Sequence, residues 1–316
     1  MNGTVYKSTG SWYTVKTPEG EVYECRIKGK FRIRGIKSTN PIAVGDRVRF
    51  ELEQTGDVTY GVIHEIEDRV NYIVRKSVNL SKQTHVIAAN VDQVFLLITL
   101  NNPKTYTIFI DRFLTTTEAY DVKTVLLFNK IDTYAEEELA EIKYLSDLYG
   151  KVGFTCLEIS AKTGFNVDRV KEMMIGKTSM FSGNSGVGKS TLINAIEPSL
   201  QLRTAEISEQ HLQGQHTTTF AEMFDLSFDA RIIDTPGIKG FGLVDMEKEE
   251  IGDYFPEFFA LKQDCKFNNC LHIDEPHCAV KKALEADEVS WSRYRSYLQM
   301  VTGEGDTYRE DEFEIE

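Results

Sequence analysis

The first 68 residues alternate between apolar and polar positions. Trp12–Val15, Val22–Cys25, Arg47–Phe50 and Tyr60–Ile63 are short runs rich in β-branched and aromatic residues. Turn signals at Pro18-Glu19-Gly20, Val44-Gly45-Asp46 and Thr55-Gly56-Asp57 separate them. Strands at this spacing predict a small barrel. From Cys25 to Gly35, Arg26, Lys28, Lys30, Arg32 and Arg34 share one parity, while Ile27, Phe31 and Ile33 share the other. In a strand the first set faces water and the second faces the core. Residues 69–90 are polar and mixed, and read as a connector. Beyond them, near-continuous apolar strands at Val91–Thr99, Thr124–Phe128, Phe154–Ile159, Ser179–Ser182, Phe220–Leu226 and Ala230–Ile233 alternate with other segments. Among those, Ile108–Tyr120, Ala135–Leu148, Val167–Ile175 and Ser190–Ile196 read as helices. That pattern predicts a mainly parallel α/β sheet covered on both faces. After residue 245 come the aromatic-rich stretch Asp253–Leu261, a cysteine cluster, and helices over Ala279–Ala286 and Trp291–Met300.

The chain therefore reads as multidomain: an all-β barrel over 1–68, an α/β domain over 69–245, and an α-helical, metal-stabilised piece over 246–316. A length of 316 residues suits two or three domains. The strongest apolar run, Val94–Ile98, is far below the roughly 18 residues of a membrane span. The first residues lack the apolar core of a signal peptide. A cytoplasmic monomer without a membrane partner is expected. The net charge of -13, from 36 basic and 49 acidic residues, argues against indiscriminate coating of nucleic acid. Its distribution changes the picture, because the tail Glu304–Glu316 is strongly acidic and Arg26–Lys37 holds basic residues and no acid. Five like charges on one face of a strand are costly unless an anion relieves them, and an RNA backbone does so.

Gly183-Asn184-Ser185-Gly186-Val187-Gly188-Lys189-Ser190 fits G-x-x-x-x-G-K-[ST] between a predicted strand and a predicted helix. The glycines let the backbone wrap phosphates, Lys189 reaches the β- and γ-phosphates, and Ser190 offers a Mg²⁺ ligand. The base is selected elsewhere. In Asn129-Lys130-Ile131-Asp132, which follows a buried strand, the Asp132 carboxylate can accept hydrogen bonds from N1–H and the exocyclic amine of guanine, a donor pair adenine lacks. Lys130 can cover the base plane, and Asn129 can tie the loop or touch the base edge. Ser160-Ala161-Lys162 ends the next strand, and the Ala161 N–H can reach the guanine oxygen. Asp234-Thr235-Pro236-Gly237 completes the set, with Asp234 holding Mg²⁺ through water and Gly237 N–H meeting the γ-phosphate. In Gln215-His216-Thr217-Thr218-Thr219 one threonine can finish the Mg²⁺ shell; Thr218 is favoured, with Thr217 and Thr219 as alternatives.

In most GTPases the phosphate loop precedes N-K-x-D, whereas here Asn129 precedes Gly183. Joining the usual termini and cutting elsewhere gives this order, and neighbouring termini make such permutation cheap. Cys265-x₄-Cys270-x-His272-x₅-Cys278 supplies three thiolates and an imidazole, a donor set for closed, structural, tetrahedral Zn²⁺. His277 is a rival ligand, but adjacency to Cys278 strains joint ligation. Cys25 and Cys156 read as core residues.

The barrel, the permuted motif order and the Cys/His cluster together resemble the RsgA (YjeQ/YloQ) family of circularly permuted GTPases, over essentially the whole chain. The resemblance implies an oligonucleotide/oligosaccharide-binding barrel, a zinc domain with His272 as a ligand, and a GTPase that binds the small ribosomal subunit. Hydrolysis of GTP to GDP and phosphate would be stimulated by that subunit in its late maturation. Family members usually carry Arg before the switch histidine; here it is Gln215. Ras-like enzymes orient the attacking water with a Gln after D-x-x-G. Ile238 stands at that position and cannot hydrogen-bond water. His216 is the nearest able side chain by sequence, unless the partner supplies the group, so slow intrinsic hydrolysis is expected.

Overall fold

The computed structural model describes residues 1–27, 41–56, 58–76, 84–201, 221–234 and 246–303. The chain divides into two compact units. One is Met1–Thr105 with Thr117–Val244, and the other is Tyr106–Thr116 with Asp245–Glu316.

The first unit opens with β1 (Asn2–Ser8), β2 (Tyr13–Lys16), β3 (Val22–Ile27), β4 (Arg47–Thr55) and β5 (Val58–Ile66). They pair in the order β1-β2-β3-β5-β4, and β4 returns to β1, closing a five-stranded barrel. Alternate side chains fill it: Val5, Tyr13, Val15, Cys25, Val48, Phe50 and Ile63 are buried together with Ile42. Cys25 is thus a core residue as expected, and burial pushes its thiol up to about 12.

The connector expected over 69–90 is instead a hairpin. β6 (Tyr72–Lys76) and β7 (Thr84–Ala89) form their own antiparallel sheet. Val74 and Val86 bury against Ala43, with Tyr72 and Tyr120 alongside. Tertiary burial stabilises strands whose apolar runs are too short to signal themselves.

The central sheet is built from β8 (Gln93–Ile98), β9 (Lys123–Phe128), β10 (Thr155–Glu158), β11 (Thr178–Ser182), β12 (Glu222–Asp225) and β13 (Arg231–Asp234), in the order β10-β9-β8-β11-β13-β12. All neighbours are parallel except β12, which runs antiparallel to β13. Every residue of β8 is buried, as a strand covered on both faces requires. The helices are α1 (Thr107–Ala119), α2 (Glu136–Val152), α3 (Val167–Met174) and α4 (Lys189–Ile196). The three acids in the first turn of α2 face the positive end of its dipole, and Gly153 closes it in the left-handed conformation. The strand that carries the phosphate loop, β11, lies between β8 and β13, so the reordered chain still places that loop centrally.

The barrel sheet continues into the central one. β1 pairs with β12 at Lys7↔Glu222, whose side chains form a 3.0 Å ion pair. One residue pair is a thin seam, and Asp225 reinforces it. Its carboxylate accepts from Tyr6 Oη (2.7 Å), Lys16 Nζ (2.5 Å) and Arg231 Nε (3.2 Å).

The second unit contains the N-terminal part of α1, then α5 (Lys248–Ile251), α6 (Pro256–Lys262), α7 (Ala279–Glu285) and α8 (Trp291–Thr302). Its core is aromatic. The Phe258 ring meets Phe255, Tyr294 and Tyr297 at centroid distances of 5.0, 6.3 and 5.1 Å. Arg293 is buried in it, bidentate to Glu257 (2.8 and 3.0 Å), bonded to Asp111 of α1 (2.7 Å) and 4.5 Å over the Phe255 ring. Such a cation is tolerated only while its carboxylates are in place. No helix among the described residues is long and apolar enough to cross a membrane.

Candidate functional site

The phosphate loop leaves β11 and enters α4. Gly183 lies at φ +136°, and a Cβ there would sit 2.6 Å from Leu97 O on β8. Gly188 lies at φ +102°, and its Cβ would sit 2.4 Å from Asn129 Nδ2. Both positions exclude a side chain by backbone angle and by space. Between them Val187 anchors the loop by burying its side chain in the main core. Lys189 Nζ donates to Gly183 O (2.6 Å) and Asn184 O (2.9 Å), holding the ammonium within the loop. Burial lowers the Lys189 pKa, while Asp234, at the end of the neighbouring strand β13, opposes that shift. Ser190 follows in the first turn of α4, half-buried.

Asn129 ties the two halves of the site together. It is buried at the end of β9. Its Nδ2 donates to Val187 O (2.7 Å) in the phosphate loop, and its Oδ1 accepts from Ala161 N (3.0 Å) in the S-A-K loop. Of the two roles the sequence left open, tying the loop is the one these bonds satisfy. The same bond bears on Ala161. Its N–H, expected on the guanine oxygen, is engaged by Asn129, so a guanine oxygen would have to share it. Lys130 adopts the left-handed conformation (φ 68°) and its Nζ donates to Asn102 O (2.5 Å). Burial lowers its pKa, and Asp132 opposes the shift. Asp132 sits in a 3₁₀ turn, where its Oδ1 accepts from Ser160 Oγ (2.5 Å). Ser160 Oγ in turn accepts from Thr163 N (3.1 Å), which fixes the carboxylate's direction. Lys162 follows Ala161 and is exposed. The fold thus brings Asn129, Lys130, Asp132, Ser160, Ala161, Gly183–Ser190 and Asp234 to one edge of the sheet, the carboxyl ends of its parallel strands, where open α/β sheets bind ligands. His216, Thr217–Thr219, Gly237 and Ile238 lie outside the described residues.

Sequence reasoning missed the loop after β8. There Thr99 N donates to Thr105 Oγ1 (3.2 Å), and Leu100 N donates to Tyr134 Oη (3.0 Å). This loop carries the Asn102 carbonyl that holds Lys130. Asn-Asn-Pro reads only as a turn, so no signal pointed to the contact.

In the second unit Cys265, Cys270, His272 and Cys278 converge, with all four ligand atoms within 4.8 Å of one another. His272 Nδ1 lies 3.2 Å from Cys278 Sγ and 3.7 Å from Cys265 Sγ. Ligands at about 2.3 Å from a tetrahedral ion stand roughly 3.8 Å apart, so the donors fit one metal ion. His272 is in the set and His277 is not. The loop gives the site its shape: His272 takes φ 57°, and Glu275 accepts from Leu271 N (2.7 Å) and Ile273 N (2.9 Å). Tyr294 Oη donates to His272 O (2.6 Å), and Tyr297 Oη to Leu271 O (2.5 Å). Ala279 N and Lys281 N each point at a cluster sulfur, 3.4 Å from Cys265 Sγ and Cys278 Sγ respectively. Burial lowers the His272 pKa, favouring the neutral ring that ligates, and raises the Cys270 and Cys278 thiols. A cation supplies what those sulfurs need to ionise.

On the barrel, Arg26 is exposed on β3; Lys28, Lys30, Arg32 and Arg34 lie outside the described residues.

A model of the RsgA N-terminal domain matches residues 2–63, and one of the RsgA GTPase matches residues 66–244. The chain is 71% identical over 314 residues to the small ribosomal subunit biogenesis GTPase RsgA of Christiangramia forsetii, covering 99% of this chain and 100% of that one. It is 57% identical over 301 residues to the protein of the same name from Bacteroides fragilis, covering 95% and 96%. Among solved structures, YjeQ from Thermotoga maritima superposes with a TM-score of 0.78 at 36% identity, covering 96% of this chain and 97% of that one. YloQ, described as a circularly permuted GTPase, gives 0.73 at 29% identity, covering 96% and 94%. With the phosphate loop, the N-K-x-D loop and the Cys/His cluster each in place, the chain belongs to the RsgA GTPase family and is a GTP-hydrolysing enzyme.

Proposed function

We propose that this enzyme binds the small ribosomal subunit in its GTP form, hydrolyses GTP to GDP and phosphate under stimulation by the subunit, and leaves it late in maturation. The observation that carries the reading is identity of 71% over 314 residues to a protein named small ribosomal subunit biogenesis GTPase.

Within it, Asp132 pairs with guanine, Lys130 covers the base, and Ser160, Ala161 and Lys162 border it. Gly183–Ser190 cradles the phosphates with Lys189 on the β- and γ-oxygens. Ser190, Asp234 and Thr218 would hold Mg²⁺, which would supply positive charge against the negative charge developing on the phosphates. Gly237 N–H meets the γ-phosphate, and His216 orients water. Cys265, Cys270, His272 and Cys278 hold one structural Zn²⁺. Arg26, Lys28, Lys30, Arg32 and Arg34 meet rRNA phosphate, and the protein works as a cytoplasmic monomer.

Co-sedimentation with isolated small subunits tests this reading. More protein should pellet with a non-hydrolysable GTP analogue than with GDP. Equal, negligible pelleting with both nucleotides would overturn it.

A further inference from the structure

One cluster on the barrel is unexplained by fold or by nucleotide chemistry. The guanidinium of Arg26 lies 4.6 Å from the centroid of Trp12 and 4.2 Å from that of Tyr60. The two rings stand edge to face, with centroids 6.3 Å apart and planes at 82°. Strand pairing makes this arrangement. Tyr13 pairs with Cys25 between β2 and β3, which sets Trp12 across from Arg26. Arg26 pairs with Val62 between β3 and β5, which leaves Tyr60 on the same outer face two residues along. Tyr13, Cys25 and Ile63, the opposite parity, fill the core. The trio is therefore held by β3, β5 and the residue that leads into β2, and Trp12 keeps 38% of its surface exposed.

We propose that Trp12, Arg26 and Tyr60 form a stacking platform for unpaired bases of single-stranded RNA, which deepens and rests on the ribosomal reading above. Two observations favour bases over duplex backbone. A planar cation on aromatic faces offers π surface to any base and needs no particular sequence. The nearby polar groups include carboxylates: Glu24 accepts from Thr14 Oγ1 (2.8 Å), and Glu53 accepts from Tyr60 Oη (3.4 Å). Carboxylates repel phosphate but accept from the exocyclic amines of bases.

The chain has two tryptophans, so Trp291→Phe leaves Trp12 as the only reporter. Full-length protein carrying that change is titrated with single-stranded A₈ and U₈ RNA and with an 8-base-pair RNA duplex. Stacking should quench Trp12 emission saturably with the single strands and not with the duplex. Tyr60→Ala should weaken single-strand binding roughly 5- to 150-fold, the range for losing one stacked base, while Tyr60→Phe keeps the ring and should bind as the parent does. Equal quenching by the duplex, or parental affinity in Tyr60→Ala, overturns the platform. Loss of binding in Tyr60→Phe equal to that in Tyr60→Ala also overturns it, because the ring would not be the binding element. Small-subunit pelleting separates the two readings. If the parent pellets and Tyr60→Ala pellets equally, the platform fails while the ribosomal role stands. If the parent does not pellet, the ribosomal role fails and the oligonucleotide titration still judges the platform.

Discussion

Replacing Asn129 by alanine removes the side chain that joins the phosphate loop to the base loop. Two bonds go with it, Nδ2 to Val187 O at 2.7 Å and Ala161 N to Oδ1 at 3.0 Å. Val187 and Ala161 are both buried, so a carbonyl and an N–H are left without partners in a dry place. Each costs about 1–3 kcal/mol, which together makes on the order of 2–6 kcal/mol. The cost is felt where the nucleotide binds, because both loops lose their fixed positions. At the lower bound, and at 1.4 kcal/mol per decade, GDP affinity should fall roughly 30-fold. Asn129→Asp sharpens the test. It keeps an acceptor for Ala161 N–H but sets a carboxylate oxygen against Val187 O, so it should bind GDP at least as poorly as the alanine variant. The assay is titration with a fluorescent guanine nucleotide, with thermal unfolding run beside it to verify folded protein. A folded Asn129→Ala protein with the parent's GDP affinity would refute the reasoning.

Other substitutions address the remaining parts. Asp132→Asn should lower GTP affinity by the worth of a charge-assisted pair, roughly 1.5–3 kcal/mol, and favour xanthine nucleotides, as competition titrations would register. Cys270→Ser should abolish metal binding at the Cys/His cluster and loosen the second unit while guanine-nucleotide binding persists; elemental analysis beside the parent and limited proteolysis read the two effects. His216→Ala should lower subunit-stimulated turnover by roughly 10²–10⁴-fold with little change in GTP affinity, because water is oriented only on the way to the transition state. Glu197 accepts from Ser199 Oγ (2.6 Å) and Ser227 N (2.9 Å), and these bonds hold its carboxyl down to about 2. A depressed acid stabilises the fold above its unfolded pKa, and that contribution drains away as pH falls from about 4.5 towards 2. The gap in thermal stability between the parent and Glu197→Gln should therefore be full at pH 7 and narrow progressively below pH 4.5.

Much of this architecture was legible because chemistry constrains it locally. A loop that wraps phosphate needs glycines, and Gly183 and Gly188 occupy positions where a Cβ would strike Leu97 O and Asn129. Strands buried on both faces must be apolar throughout, so β8 and β9 announced themselves. The zinc-type spacing was equally open, since four donors must meet within a few ångströms. What escaped depends on contacts distant in sequence. The β6–β7 hairpin owes its stability to Ala43 and Tyr120, and neither its length nor its polarity marks it. The seam between β1 and β12 joins residues more than 200 positions apart through Lys7, Glu222 and Asp225, which look like ordinary surface charges. Tyr294 and Tyr297 support the metal loop through backbone carbonyls, which no spacing rule encodes. Asn129 was recognised as part of a motif, yet its commitment of the Ala161 N–H became visible only with both loops folded.

Guanine specificity and turnover that depends on the small ribosomal subunit are tested most directly by single-turnover hydrolysis of GTP and of ATP, each with and without saturating isolated small subunits. The expected result is slow GTP hydrolysis alone, a large acceleration by subunits, and no accelerated hydrolysis of ATP. Equal rates with and without subunits, or ATP hydrolysed as readily as GTP, would contradict the account.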